Sequence, residues 1–124
     1  MRLNGYIPLE ELRNAMQPGH CYQLEMRVDN ERWYVVTCPF EVHLLKSNNE
    51  KRLHIDGTVY RLDCLGTFIG CDNQGYIPDR TVSSVKELTT KEYEALDSDY
   101  GKMQAQLRKA EEKIRITFRQ EIKL

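Results

Sequence analysis

Three histidines and four cysteines are the residues of this 124-residue chain best suited to hold a metal or to attack an electrophile. A structural zinc needs three or four such side chains to converge, and cysteine pairs about two to four residues apart announce it. The chain has no C-x-x-C pair. Cys64 and Cys71 have six residues between them, and Cys38 and His43 lie five apart across Pro39. The expectation is thiols that pack as small hydrophobes at Cys21, Cys38, Cys64 and Cys71, with partly exposed histidines, no metal and no cofactor.

Nucleophilic catalysis needs an activated nucleophile beside a base. The G-x-S-x-G elbow is missing, and Cys38 with His43 is the one nearby thiol–imidazole pair. His54 and Asp56 share one face of a strand, where the carboxylate could orient the imidazole. They flank an expected tight turn, however, where exposed polar residues are common. Glu10-Glu11 and Glu111-Glu112 are adjacent on helices and solvated, not opposed across a cleft. No Walker-type glycine loop or G-x-G-x-x-G appears. These absences argue against an enzyme.

The segment from Tyr76 to Ser84 couples an aromatic ring, the Arg80 guanidinium and the hydroxyls of Thr81, Ser83 and Ser84. If a helix begins there, its free backbone N–H groups beside a guanidinium suit a phosphate or carboxylate. The competing reading is a plain cap for a short helix through Val85 and Leu88. Tyr76, Arg80, Thr81, Ser83 and Ser84 are therefore the candidate ligand-binding residues, for a small anionic, nucleotide-like molecule.

The elements that must position these residues follow from periodicity. Pro8 and the acids Glu10 and Glu11 open a short helix whose apolar face is Leu9, Leu12 and Met16. Tyr22, Leu24, Met26 and Val28 alternate with polar residues as a half-buried strand. Turns are expected at 29–31 and 47–50. Further strands are expected at 33–37, 40–45, 53–55, 58–60 and 67–69, which makes about six in all. Asp56-Gly57 reads as a two-residue hairpin turn, because both residues tolerate positive φ. Asn4-Gly5-Tyr6-Ile7-Pro8 recurs as Gln74-Gly75-Tyr76-Ile77-Pro78, and each copy reads as a strand end handing over through proline.

Residues 89–124 are different. Thr89 and Glu92 fit a capping box, with Leu88 and Tyr93 placed as its hydrophobic staple. Tyr93, Leu96, Tyr100, Met103, Leu107, Ala110 and Ile114 then recur at alternating spacings of three and four, a heptad-like seam. Phe118 and Ile122 continue it with a drift. The seam passes through Gly101 in phase, which favours one helix. At that length it measures about 50 Å, longer than a domain of this size is wide. A second copy is the economical partner, and these seven residues are the expected oligomer interface. Glu92, Glu94, Asp97 and Asp99 stand at one end, and Lys113, Arg115, Arg119 and Lys123 at the other. An antiparallel pair would set acids against bases.

Composition sets the outer limits. Hydrophobic residues at 40% and charged residues at 30% exclude intrinsic disorder as the main state. No apolar run approaches the ~20 residues that span a bilayer. The first residues lack a secretory stretch, so a cytoplasmic location is expected. A net charge of −1 offers no global field for nucleic acid. From Lys102 onward seven basic residues face three acidic ones, and Tyr22, Trp33, Tyr34, Tyr60 and Phe68 could stack bases on a curled sheet. That nucleic-acid reading is the weaker one, since Tyr22 shares its face with Leu24 and Met26.

The expected fold is α+β: a short N-terminal helix, an antiparallel sheet or partial barrel of about six strands over residues 1–88, and a long C-terminal helix over 89–124 within the same single domain. The expected function is a non-catalytic binding protein that assembles as a homo-oligomer through that helix. The sheet and the Tyr76–Ser84 segment would present the ligand or partner surface. Two alternatives are a sequestering protein for an anionic nucleotide-like ligand near subunit interfaces, and a nucleic-acid-binding module using the basic helix end.

Overall fold

The computed structural model describes residues 5–122, with side chains through residue 115. The side chains of Phe118, Arg119 and Ile122, and Lys123 as a whole, lie outside the described residues. The fold is α+β, in the order α1 (Leu9–Ala15), β1 (Cys21–Val28), β2 (Glu31–Ser47), β3 (Glu50–Leu62), β4 (Phe68–Pro78), β5 (Val82–Leu88) and α2 (Thr90–Ile122). It divides into two compact units, Met1–Thr89 and Thr90–Leu124.

The five strands form one antiparallel sheet in the order β4-β3-β2-β1-β5. Two of the expected turns close its hairpins. Asp29 and Asn30 have φ of 51° and 66°, and Asn48 and Asn49 have 50° and 66°. Positive φ at both central residues matches the right-handed twist of the flanking strands.

Asp56-Gly57 is not a turn. It lies inside β3, which continues through it from Glu50 to Leu62. The Asn48-Asn49 turn already closes this hairpin, so Gly57 faces Pro39 across the ladder, where the β2–β3 register shifts. A bulge there bends both strands. The strands expected at 33–37 and 40–45 are likewise one, because the chain passes Pro39 through this bulge. The strands expected at 53–55 and 58–60 merge for the same reason. The count is therefore five, and the last two differ from expectation: β4 runs on to Pro78, and β5 replaces the short helix expected through Val85 and Leu88.

The sheet curls strongly. β4 and β5 are its opposite edges, yet residues 79–81 alone join them. Four extended steps reach at most about 14 Å, whereas the edges of a flat five-stranded sheet would lie about 19 Å apart. Inside the curl sits the core, with Leu12, Leu24, Leu53 and Ile55 fully buried alongside Leu9, Ile77 and Val82. Helix α1 is only seven residues long and has no side-chain cap, so Leu9 and Leu12 hold it by packing into this core. Ahead of it, the Ile7 N–H donates to the Val82 carbonyl at 2.8 Å. Ile7 and Ile77, the equivalent members of the two Tyr-Ile-Pro copies, are both 2% exposed and share the core.

Helix α2 begins one residue after Thr89, where the capping box places it, and runs unbroken past Gly101. Among the described residues no helix is long and apolar enough to cross a membrane.

Candidate functional site

Alternation along the bent strands sorts their residues onto two faces. Leu44, Leu53 and Ile77 pair in one row, with the latter two in the core. One residue along, His43, His54 and Tyr76 pair in a row on the opposite face. Two residues further, Glu41, Asp56 and Gln74 form a second outward row. Six polar or aromatic side chains from three strands thus make one block beside the Pro39 bulge.

The block is internally connected. The His54 ring stacks on Tyr76 at 4.8 Å between centroids and on His43 at 6.2 Å. The Arg52 guanidinium lies 5.2 Å from the Tyr76 ring centroid, a cation–π distance. Nε2 of His43 lies 2.9 Å from Glu41 Oε2 and 3.9 Å from Asp56 Oδ2. Nε2 of His54 lies 3.4 Å from Asp56 Oδ1 and 3.2 Å from Gln74 Oε1. Asp56 therefore offers one oxygen to each histidine. Donor atoms of Glu41, His43 and Asp56 all fall within 4.8 Å of one another, so these three could hold a cation.

Sequence reasoning paired His54 with Asp56 and His43 with Cys38, but did not join the two histidines or bring in Glu41 or Gln74. A usable signal was present: a two-residue turn at Asn48-Asn49 counts back to pair His43 with His54 and Glu41 with Asp56. The expected turn at Asp56-Gly57 concealed it.

The candidate residues between Tyr76 and Ser84 do not converge. Tyr76 belongs to the histidine block and is half exposed. Arg80 sits in the turn before β5 with φ of 57°, its N–H donating to Asp79 Oδ1 at 3.1 Å. Its neighbourhood is a small cavity of about 180 Å³ shared with Tyr6, Glu10 and Lys51. Thr81 donates its hydroxyl to the Pro78 carbonyl at 2.8 Å. Ser83 donates to the Glu25 carbonyl and Ser84 to Glu25 Oε2, each at 3.2 Å. The Thr81 hydroxyl braces the turn before β5 and the two serines brace the β1–β5 bulge, and the start of a strand has no cluster of free N–H groups for an anion. Within the Arg80 cavity, Lys51 Nζ is 3.0 Å from Glu10 Oε1. A backbone hydrogen bond, joined by this ammonium, lowers the Glu10 pKa below the ordinary value of 4.5.

The sheet also has an apolar cavity of about 400 Å³, lined by Met26, Val28, Trp33, Val35 and Leu62 with Glu31 and Arg61 at its rim. That volume lies within the range of small-molecule sites. Of the aromatic residues considered for base stacking, Tyr22 and Tyr60 are 4% and 3% exposed, so neither forms a surface platform.

Cys21, Cys38 and Cys71 are half-buried as expected, but Cys64 is exposed in the loop before β4. Burial pushes the Cys21 thiol up to about 12, assisted by its hydrogen bond with Cys38 and by the negative charge of Glu87.

Compared with known families, characterised proteins and solved structures, the chain finds no match.

Proposed function

We propose that the chain is a non-catalytic binding protein of the cytoplasm that assembles with copies of itself through α2. It binds its ligand on the outward face of β2, β3 and β4, around His43, His54 and Tyr76. The observation that carries the assembly is the exposure of apolar seam residues: Leu107 is 50% and Ile114 69% exposed. Water-exposed leucine and isoleucine at heptad positions gain by meeting a second helix. A second α2 in antiparallel orientation fits best, since the first turns carry Glu92, Glu94, Asp97 and Asp99 and the later ones Lys113 and Arg115. The binding face of this reading keeps Tyr76 and leaves Thr81, Ser83 and Ser84 as bracing residues.

Solution mass by light scattering tests the assembly, on the full chain and on the Leu107→Asp/Ile114→Asp variant. A multimeric full chain and a folded, monomeric variant are the expected pair of results. A monomeric full chain at high micromolar concentration would sink the reading.

A further inference from the structure

We propose that Glu41, His43 and Asp56 form a site for a divalent transition-metal ion, with zinc its fitting occupant and His54 the residue that positions Asp56. The proposal rests on the sheet-face half of the function proposed above and on nothing in α2.

The donor set favours such an ion. One imidazole with two carboxylates suits zinc and its neighbours, whereas magnesium and calcium take oxygen ligands alone. Zinc holds nitrogen and oxygen donors at about 2.0–2.2 Å, so tetrahedral neighbours stand about 3.3 Å apart. The separations of 2.9 Å from His43 to Glu41 and 3.9 Å from His43 to Asp56 bracket that value. The widest separation in the cluster is within 4.8 Å, which small rotations of the exposed Glu41 and half-buried Asp56 carboxylates close.

The backbone gives an independent reason. Glu41 and Asp56 are direct cross-strand partners on one face, and like charges so placed repel. A cation between them turns that repulsion into attraction. The frame is a paired ladder with a bulge at its shoulder, which fixes ligands better than a loop does. His54 adds the outer support common at metal sites. It meets Asp56 Oδ1, leaving Oδ2 toward His43, and its side chain is only 16% exposed, held between the His43 and Tyr76 rings. Three protein donors leave at least one position for water or a further ligand.

Titration calorimetry with zinc alone, on the full chain kept reduced by a phosphine, tests the site. One zinc per chain is expected. His43→Ala should reduce affinity about 100-fold, and Glu41→Gln or Asp56→Asn at least about tenfold each. His54→Phe, which stacks without a donor, should lose about tenfold, while His54→Gln restores most of it. His20→Ala and Cys64→Ser should leave binding unchanged. Glu41 and His43 are exposed and Asp56 is half-buried, none of them in the core, so circular dichroism should show the fold retained. Shifts of the His43 ring resonances on zinc addition give a readout that needs no variant. Absence of binding up to millimolar zinc, affinity that survives His43→Ala, or affinity lost with the cysteines would each overturn the proposal. Light scattering on the same samples reads the assembly separately.

Discussion

A Cβ atom on Gly57 would stand 2.6 Å from the carbonyl oxygen of Cys38 and 3.0 Å from Cα of Pro39. Both are backbone atoms, so no side chain can swing aside. Gly57 also has φ of 141°, which residues with a Cβ rarely adopt. The bend of β2 and β3 depends on this approach. Gly57→Ala should therefore destabilise the chain by ~3 kcal/mol, read as a fall in the urea midpoint. An unchanged midpoint would mean the bend does not need the close approach.

Helix α1 should be the next most sensitive element. It has seven residues and no side-chain cap, and isolated helices of that length do not persist. Leu12 is 0% exposed. Leu12→Ala should cost about 3–5 kcal/mol, the upper part of the usual range, because Leu12 is packed among strands held by their own ladders, which collapse poorly into a cavity. The neighbouring Glu11→Ala, on the exposed side, should change stability by under about 0.5 kcal/mol. Thermal unfolding of the two variants checks the contrast.

The sequence reads well where one residue's neighbours decide its conformation. Pro8 with Leu9 and Leu12, the alternation from Tyr22 to Met26, the two asparagine-containing turns and the start of α2 after Thr89 are all local, and all are found in place. It reads poorly where a distant strand decides. Asp56-Gly57 carries the composition of a turn, but its pairing with Pro39 makes it a bend within a strand. Val82–Leu88 resembles a capped helix, yet β1 offers an open edge that takes it as β5. The histidine block depends on register across three strands, so its members are scattered from Glu41 to Tyr76 in the chain.

Glycine has the opposite sign in α2. Gly101 sits in the helix interior, and a Cβ there would meet nothing within 4 Å. Alanine removes backbone freedom from the unfolded chain and favours the helix by about 1 kcal/mol. Gly101→Ala should raise helix content and its melting temperature by circular dichroism. A loss of helicity would show that the helix needs a soft point at Gly101.

Cys21 should be the thiol that resists modification. Its pKa is pushed up to about 12 from an ordinary value of 9.0, chiefly by burial. The thiolate is the reactive form. At pH 8 a disulfide reagent should label exposed Cys64 first and Cys21 far more slowly. The same shift has a consequence for stability. Between pH 9 and 12 the unfolded chain gives up the Cys21 proton while the folded chain keeps it. This contribution is fully present below pH 9 and is lost as pH rises toward 12. Guanidinium unfolding at pH 8 and pH 10.5 should therefore show an alkaline loss of stability that is smaller in Cys21→Val, which keeps the apolar contact and removes the titration. Equal losses in the two proteins, or labelling of Cys21 as fast as Cys64, would show that the thiol is not held in its protonated form.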